Sequence, residues 1–135
     1  MPSAVTLVRS EKLSSVAEYA YAATAHSNAR LIFLAGACPL NEDGSTAGLG
    51  DYGAQAQKSV DNMRIALEAA GAGIDDVVST RVLVASTKQS DLVAAWKVVR
   101  AAFGDHDAPS TLMGVTVLGY PGQLVEIEAV AAVID

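Results

Sequence analysis

Two glutamates placed two residues apart near the end of the chain, Glu126 and Glu128, are the side chains whose type and spacing best suit proton transfer. The run Leu124-Val125-Glu126-Ile127-Glu128-Ala129-Val130 alternates strictly, so in a strand Leu124, Glu126, Glu128 and Val130 share one face. Burial raises a carboxyl pKa, and a like charge one pleat repeat away raises it further, which brings a carboxylate into proton-shuttling range near neutrality. The structural alternative is that one glutamate pairs with a strand arginine such as Arg81 and serves only the fold. Spacing alone leaves both open.

Other reactive side chains are more ordinary. Cys38 ends an apolar run with no histidine near it in sequence, and free cysteine commonly behaves as a small buried hydrophobe rather than a nucleophile. His106, between Asp105 and Asp107, reads as a solvated turn, and His26 as a surface loop residue; no metal site is expected, because one needs three or four converging ligands. Ser110 and Thr111 follow Pro109 and either cap a loop-to-strand junction or offer hydroxyls to a ligand. Trp96 falls on an apolar helical stripe, and Tyr21 is either a pocket phenol or an ordinary strand tyrosine. Neither G-x-G-x-x-G nor G-x-x-x-x-G-K-[ST] occurs in a strand-to-helix setting, and G-x-S-x-G is absent. Nucleotide cofactors are therefore not expected.

The elements that must carry these residues follow from periodicity. Strands are expected over Val5 to Val8, Val16 to Thr24 and Leu31 to Cys38, with His26-Ser27-Asn28-Ala29 as a hairpin loop between the second and third. A polar, glycine-rich surface loop runs from Asn41 to Gly50. A helix follows from about Tyr52 to Ala70, capped by Asp51 and ended by Gly71, with Ala56, Val60, Met63, Leu67 and Ala70 on one stripe. A strand over Val77 to Ala85 leads to a second helix, capped by Ser90, running through Phe103 and ended by Gly104. Thr111 to Leu118 and Leu124 to Ile134 are the last strands, joined through Gly119-Tyr120-Pro121-Gly122. The order β-β-β-α-β-α-β-β gives an α+β class, a mixed sheet with both helices on one face. Apolar residues on both strand parities argue that the other sheet face is buried against further subunits.

Length and composition set the frame. At 135 residues and 13.8 kDa the whole chain, 1–135, is expected to be one domain. Hydrophobic residues make up 51% and charged residues 18%, with mean hydropathy +0.31, which excludes a disordered chain. Only 5% of residues are aromatic, so the core uses small side chains and some apolar surface is left for a subunit interface; a homo-oligomer is expected. The net charge is −6 and the nine Lys and Arg are scattered singly, so no nucleic-acid partner is expected. One cysteine excludes an intramolecular disulfide, no apolar run reaches about 18 residues, and a reducing, cytoplasmic location without membrane insertion is the default.

Three segments together resemble a known family: Leu31-Ile-Phe-Leu-Ala-Gly-Ala-Cys-Pro-Leu40, the Gln57 to Gly71 helix with Asn62 and Leu67-Glu-Ala-Ala-Gly71, and Val125-Glu-Ile-Glu-Ala129. They look like the Rid proteins (reactive intermediate deaminases, also called YjgF-like or L-PSP endoribonuclease-like), and the resemblance covers about residues 16 to 133 in order. It implies a chorismate-mutase-like fold, a homotrimer with three inter-subunit clefts holding a small-molecule ligand, and hydrolysis of enamines and imines to a 2-oxo acid and ammonia without metal or organic cofactor. Carried over residue by residue, the cleft tyrosine matches Tyr21 if one residue is inserted in the hairpin loop. The serine before the strand-end glycine becomes Ala35 with Gly36 retained, and the glutamate associated with the catalytic water matches Glu126. The departures are equally specific. The arginine that grips the substrate carboxylate falls on Ser110 or Thr111, with no arginine after Arg100; the cleft asparagine falls on Trp96, and a cysteine falls on Leu112 or Met113. A hydroxyl cannot replace a bidentate guanidinium, so a substrate other than a small 2-imino acid is expected, in a more apolar cleft around Tyr21, Trp96, Ser110, Thr111 and Glu126. The resemblance leaves open a non-catalytic ligand-binding or regulatory trimer and, less favoured by the acidic balance, an endoribonuclease or translation inhibitor.

Overall fold

In the computed structural model, which describes residues 3–135, periodicity becomes six strands and two helices. They are β1 (Val5–Val8), β2 (Ala22–Ala25), β3 (Arg30–Phe33), α1 (Tyr52–Ala69), β4 (Val77–Ala85), α2 (Gln89–Phe103), β5 (Ser110–Val115) and β6 (Val125–Val133), with a 3₁₀ turn over Ile74–Asp76. The expected order of elements holds. Four strands form a mixed sheet in the order β3-β6-β4-β5, in which β4 and β5 run parallel and the other pairs antiparallel. Both helices pack on one face of it and against each other. β1 and β2 instead form their own antiparallel ladder.

Local chemistry explains the helix limits. Asp51 accepts a hydrogen bond from Ala54 N at 3.0 Å at the start of α1, and Gly71, at φ +84°, turns the chain after its end in a conformation costly for other residues. Ala56, Val60, Met63 and Leu67 are fully buried, and each large side chain contributes about 1.5–3 kcal/mol by leaving water. The expected Ser90 cap of α2 is corrected: the helix begins at Gln89, and Ser90 lies within it. Ser86, in the preceding turn, accepts from Lys88 N at 3.0 Å and donates to Asp91 at 2.7 Å.

Strand limits depart from periodicity where pairing partners end. The expected second strand shrinks to Ala22–Ala25 because β1, its only partner, is four residues long; Val16 to Ala20 belong to a loop. The 26–29 turn links β2 to β3 without pairing them, since β2 pairs with β1 and β3 with β6, so no hairpin forms there. β5 stops at Val115, opposite Ala85, the last residue of β4. The third strand is interrupted: β3 pairs with β6 as far as Phe33 opposite Val130, and pairing resumes at Ala37 opposite Ile127. One residue more on the β3 side makes Leu34-Ala35-Gly36 a bulge.

The core lies between the sheet and the helices. Val82, Val84, Val125, Ile127, Ala129 and Ala131 point toward α1 and α2 and are buried. The alternate residues, Glu126, Glu128 and Val130 among them, face the open side. On that side Leu31 and Phe33 are 50% and 73% exposed. No helix among the described residues is long and apolar enough to cross a membrane.

Candidate functional site

Strand parity puts Glu126 on the open face, and its neighbours come from three places in the chain. Across the ladder from β6, the register after the bulge sets Cys38 opposite Glu126, and Cys38 Sγ donates to Glu126 Oε1 at 3.2 Å. Gln123, in the turn before β6, donates from Nε2 to the same oxygen at 3.2 Å. Gly36 lies under the carboxylate: a Cβ there would collide with Oε2, so glycine is what lets the carboxylate rest in this place. Among the described residues no hydrogen bond reaches Oε2, and the main-chain N–H groups of Ala35 and Gly36 donate to no acceptor. Burial pushes the Cys38 thiol up, and the hydrogen bond to Glu126 and its charge push it further, to about 11. Cys38 is therefore a protonated donor at neutral pH, not a thiolate nucleophile.

α1 supports both donors. Gln55, fully buried, donates to Gly122 O at 2.9 Å and accepts from Leu124 N at 2.7 Å, which pins the turn carrying Gln123. Asn62 donates to Cys38 O at 2.8 Å and Leu40 O at 3.0 Å, which pins the segment carrying Cys38. Gln55 and Gln123 are functional candidates that residue types and spacing did not single out; Cys38 reads from sequence as a small buried hydrophobe rather than as a donor to Glu126, and Asn62 appears only as part of a family pattern. A half-buried amide on α1 beside an interrupted strand is the signal that could have found Asn62; nothing in the spacing pointed to Gln123.

Glu128, one pleat repeat further, has the other fate. It stands in register with Arg81 of β4, whose guanidinium donates to Glu128 Oε2 at 2.7 Å. The structural reading of one glutamate paired with Arg81 thus describes Glu128. Thr111 of β5 is the next residue in that row, beside Arg81 and exposed on the same face. The adjacent row runs Met113, Leu83, Glu126, so in its own row the carboxylate has apolar neighbours on the β4 side.

The remaining candidates lie elsewhere in the chain. Ser110 faces the helix side, where it accepts from Thr80 Oγ1 at 2.7 Å and lines a small crevice with Trp96. Trp96 is half-buried, with Nε1 3.4 Å from Glu18 Oε1 and its ring edge-to-face with Tyr19. Tyr19 also meets Tyr21 edge-to-face. Tyr21 donates its hydroxyl to Ser14 O and lines an open pocket of about 530 Å³ formed by residues of the 9–21 segment. Ala35 is exposed beside Gly36. One chain therefore brings together Glu126, Ala35 and Gly36, while Thr111 lies one row along and two strands across, beyond β4. Among the described residues, no hydrogen bond or ring contact joins Tyr21, Trp96 or Ser110 to them. His106 is not a solvated turn residue: its ring Nε2 is 2.7 Å from Val77 O.

Comparison with known proteins places this geometry. The family model described as "Endoribonuclease L-PSP" matches residues 10–133. A conserved Rid-family protein of unknown function from Yersinia pestis is 28% identical, with TM-score 0.89 over 96% of this chain and 99% of its own. A member of the YjgF/YER057c/UK114 family from Mycobacterium tuberculosis is 32% identical, with TM-score 0.65 over 96% and 99%. The YjgF gene product of E. coli is 27% identical, with TM-score 0.64 over 93% and 97%. No curated protein matches the chain.

Proposed function

The chain belongs to the endoribonuclease L-PSP family, the group of the Rid and YjgF proteins, and on that premise we propose that it hydrolyses the C=N bond of a small imine or enamine other than a small 2-imino acid. The observation that carries this reading is the Glu126 carboxylate, with one oxygen held by neutral donors and the other over Gly36 without a partner among the described residues. A carboxylate so placed can take a proton from water.

In the proposed reaction the water oxygen bonds to the imine carbon while its proton passes to Glu126 Oε2, and the C=N electron pair moves to nitrogen. Glu126 then hands that proton to nitrogen, giving a neutral carbinolamine. The hydroxyl proton follows the same route as the C–N bond breaks, leaving a carbonyl, ammonia and the carboxylate. An enamine first tautomerises to the imine. The unpaired N–H groups of Ala35 and Gly36 polarise the substrate, whereas Thr111, two strands across the face on β5, is too distant to join them within one chain. Ser110, turned toward α2, is left to the fold. The substrate is neutral or bulky, because Leu83, backed by Met113 one strand further, stands beside Glu126 and Arg81 pairs with Glu128.

The active assembly is a homotrimer in which Tyr21 and Trp96 of a neighbouring copy complete the cleft. Leu31 and Phe33 on the open face support self-association, since large apolar side chains grouped on one exposed face favour burial. The absence of an arginine at Ser110 and Thr111 favours a second reading, a non-catalytic ligand-binding trimer. RNA cleavage is opposed by the net charge of −6 and by the engagement of Arg9, Arg30, Arg81 and Arg100 in ion pairs. The deciding experiment generates imines in situ from acidic, neutral and aromatic amino acids and follows carbonyl product. Turnover of neutral imines that disappears in Glu126→Gln is expected. No turnover across the panel, with ligands that raise the melting temperature, would move the assignment to the binding protein.

A further inference from the structure

The two donors to Glu126 differ in kind from the partner of Glu128. Glu128 is met by a cation; Glu126 is met by an amide and a thiol, both neutral, and both on the same oxygen. Gln123 cannot turn its amide over. Its Oε1 accepts from Tyr120 N at 3.1 Å, while Nε2 gives one proton to Val125 O at 3.1 Å and the other to Glu126 Oε1. The side chain is buried, so every polar atom must keep its partner. Cys38 has a single S–H, shared between Gly36 O at 3.5 Å and Glu126 Oε1 at 3.2 Å, and the high thiol pKa keeps that proton in place. Gln55 and Asn62 fix the two segments to α1, so both donors approach from directions set by one helix.

We propose that Cys38 and Gln123 are positioning residues that together hold Glu126 Oε1, so that Oε2, lying over Gly36, is the one oxygen that exchanges protons with water. This rests on the reading of Glu126 as the proton acceptor. The division between the oxygens follows from lone pairs: Oε1 already accepts two hydrogen bonds, whereas Oε2 keeps its lone pairs for the reaction. Neutral donors orient the carboxylate by hydrogen bonds alone, with no cation placed against Oε1.

Two measurements test the assignment, and the first needs no turnover. Because Cys38 is the only cysteine, thiolate absorbance and iodoacetamide alkylation report on it alone. In the wild type the expected midpoint is well above the ordinary thiol range, about 11. In Glu126→Gln the midpoint falls, and alkylation at pH 8.5 accelerates by about tenfold for each unit of that fall. A wild-type thiol that titrates in the ordinary range, or one that Glu126→Gln leaves unmoved, overturns the clamp whatever the activity. The second measurement is kinetic. Cys38→Ala lowers kcat by about three- to tenfold with KM within about twofold, and Cys38→Ser, whose hydroxyl still donates, restores it. Gln123→Leu lowers kcat by about ten- to a hundredfold. Because Gln123 also closes its turn, the Ala and Ser pair at Cys38 decides. Unchanged kcat in Cys38→Ala overturns the positioning role. A wild type inactive on every imine sinks the hydrolase reading and the positioning role with it, while the thiol titration still decides the contact.

Discussion

Glu126 and Glu128 occupy the same strand and the same face, one pleat repeat apart, yet they have different neighbours. Register across β4 hands Glu128 an arginine and Glu126 a leucine. On the other side, the bulge at Leu34-Ala35-Gly36 brings a thiol opposite Glu126 and clears the space below it. Each carboxylate is held at one oxygen, but Glu128 meets a solvent-exposed cation, whereas Glu126 meets two neutral donors and lies over the space kept clear at Gly36. The lesson is that identical residues on identical parity are separated in role by the strands beside them.

The largest effect that would break this comparison lies in removing each acid in turn. Glu126→Gln is expected to lower imine turnover by about 10²–10⁴-fold, whereas Glu128→Gln leaves it within a fewfold. Equal losses from the two variants, measured as kcat on one neutral imine, would erase the distinction. Next comes Gly36→Ala, whose Cβ would collide with Oε2 and push the carboxylate aside. We expect a fold that survives, with circular dichroism unchanged, and a kcat reduced by about tenfold or more, against a stability cost of about 1–3 kcal/mol. Wild-type kcat in that variant would mean the carboxylate does not work over Gly36.

A smaller effect concerns the helix behind the site. Asn62→Ala removes two hydrogen bonds to the segment carrying Cys38, and urea unfolding should report a loss of about 1–3 kcal/mol. The smallest concerns Glu128 itself. Arg81 and Glu128 are 56% and 35% exposed, so a double-mutant cycle with Arg81→Met and Glu128→Gln should give a coupling of only about 0.2–1 kcal/mol, falling with salt. A coupling several times larger would show the pair buried in the assembly.

Much of the fold was legible before any coordinates. The apolar stripe Ala56, Val60, Met63 and Leu67, the Asp51 cap and the terminal Gly71 are local signals, and they locate α1 to within one residue. Strict alternation likewise assigned Glu126 to one face of β6. The misses share a cause. Val16 to Ala20 alternate well enough for a strand, but β1 is too short to pair with them. Ser90 is a good capping residue, but Ser86 binds the first turn of α2 instead. Ser110 and Thr111 looked equivalent until the pairing of β5 with β4 sent them to opposite faces.

By itself, then, the sequence determined the element order, the helix faces, the parity of the terminal glutamates and the family pattern. All of these depend on residues a few positions apart, where backbone periods of 3.6 and 2 act. Only the tertiary structure decided which glutamate meets Arg81 and which meets Cys38 and Gln123. Those partners lie 47 and 88 residues from the glutamates in the case of Arg81 and Cys38, and they are chosen by ladder register and by a one-residue bulge. A shift of one residue in pairing exchanges every neighbour on a face while leaving each strand's own alternation unchanged.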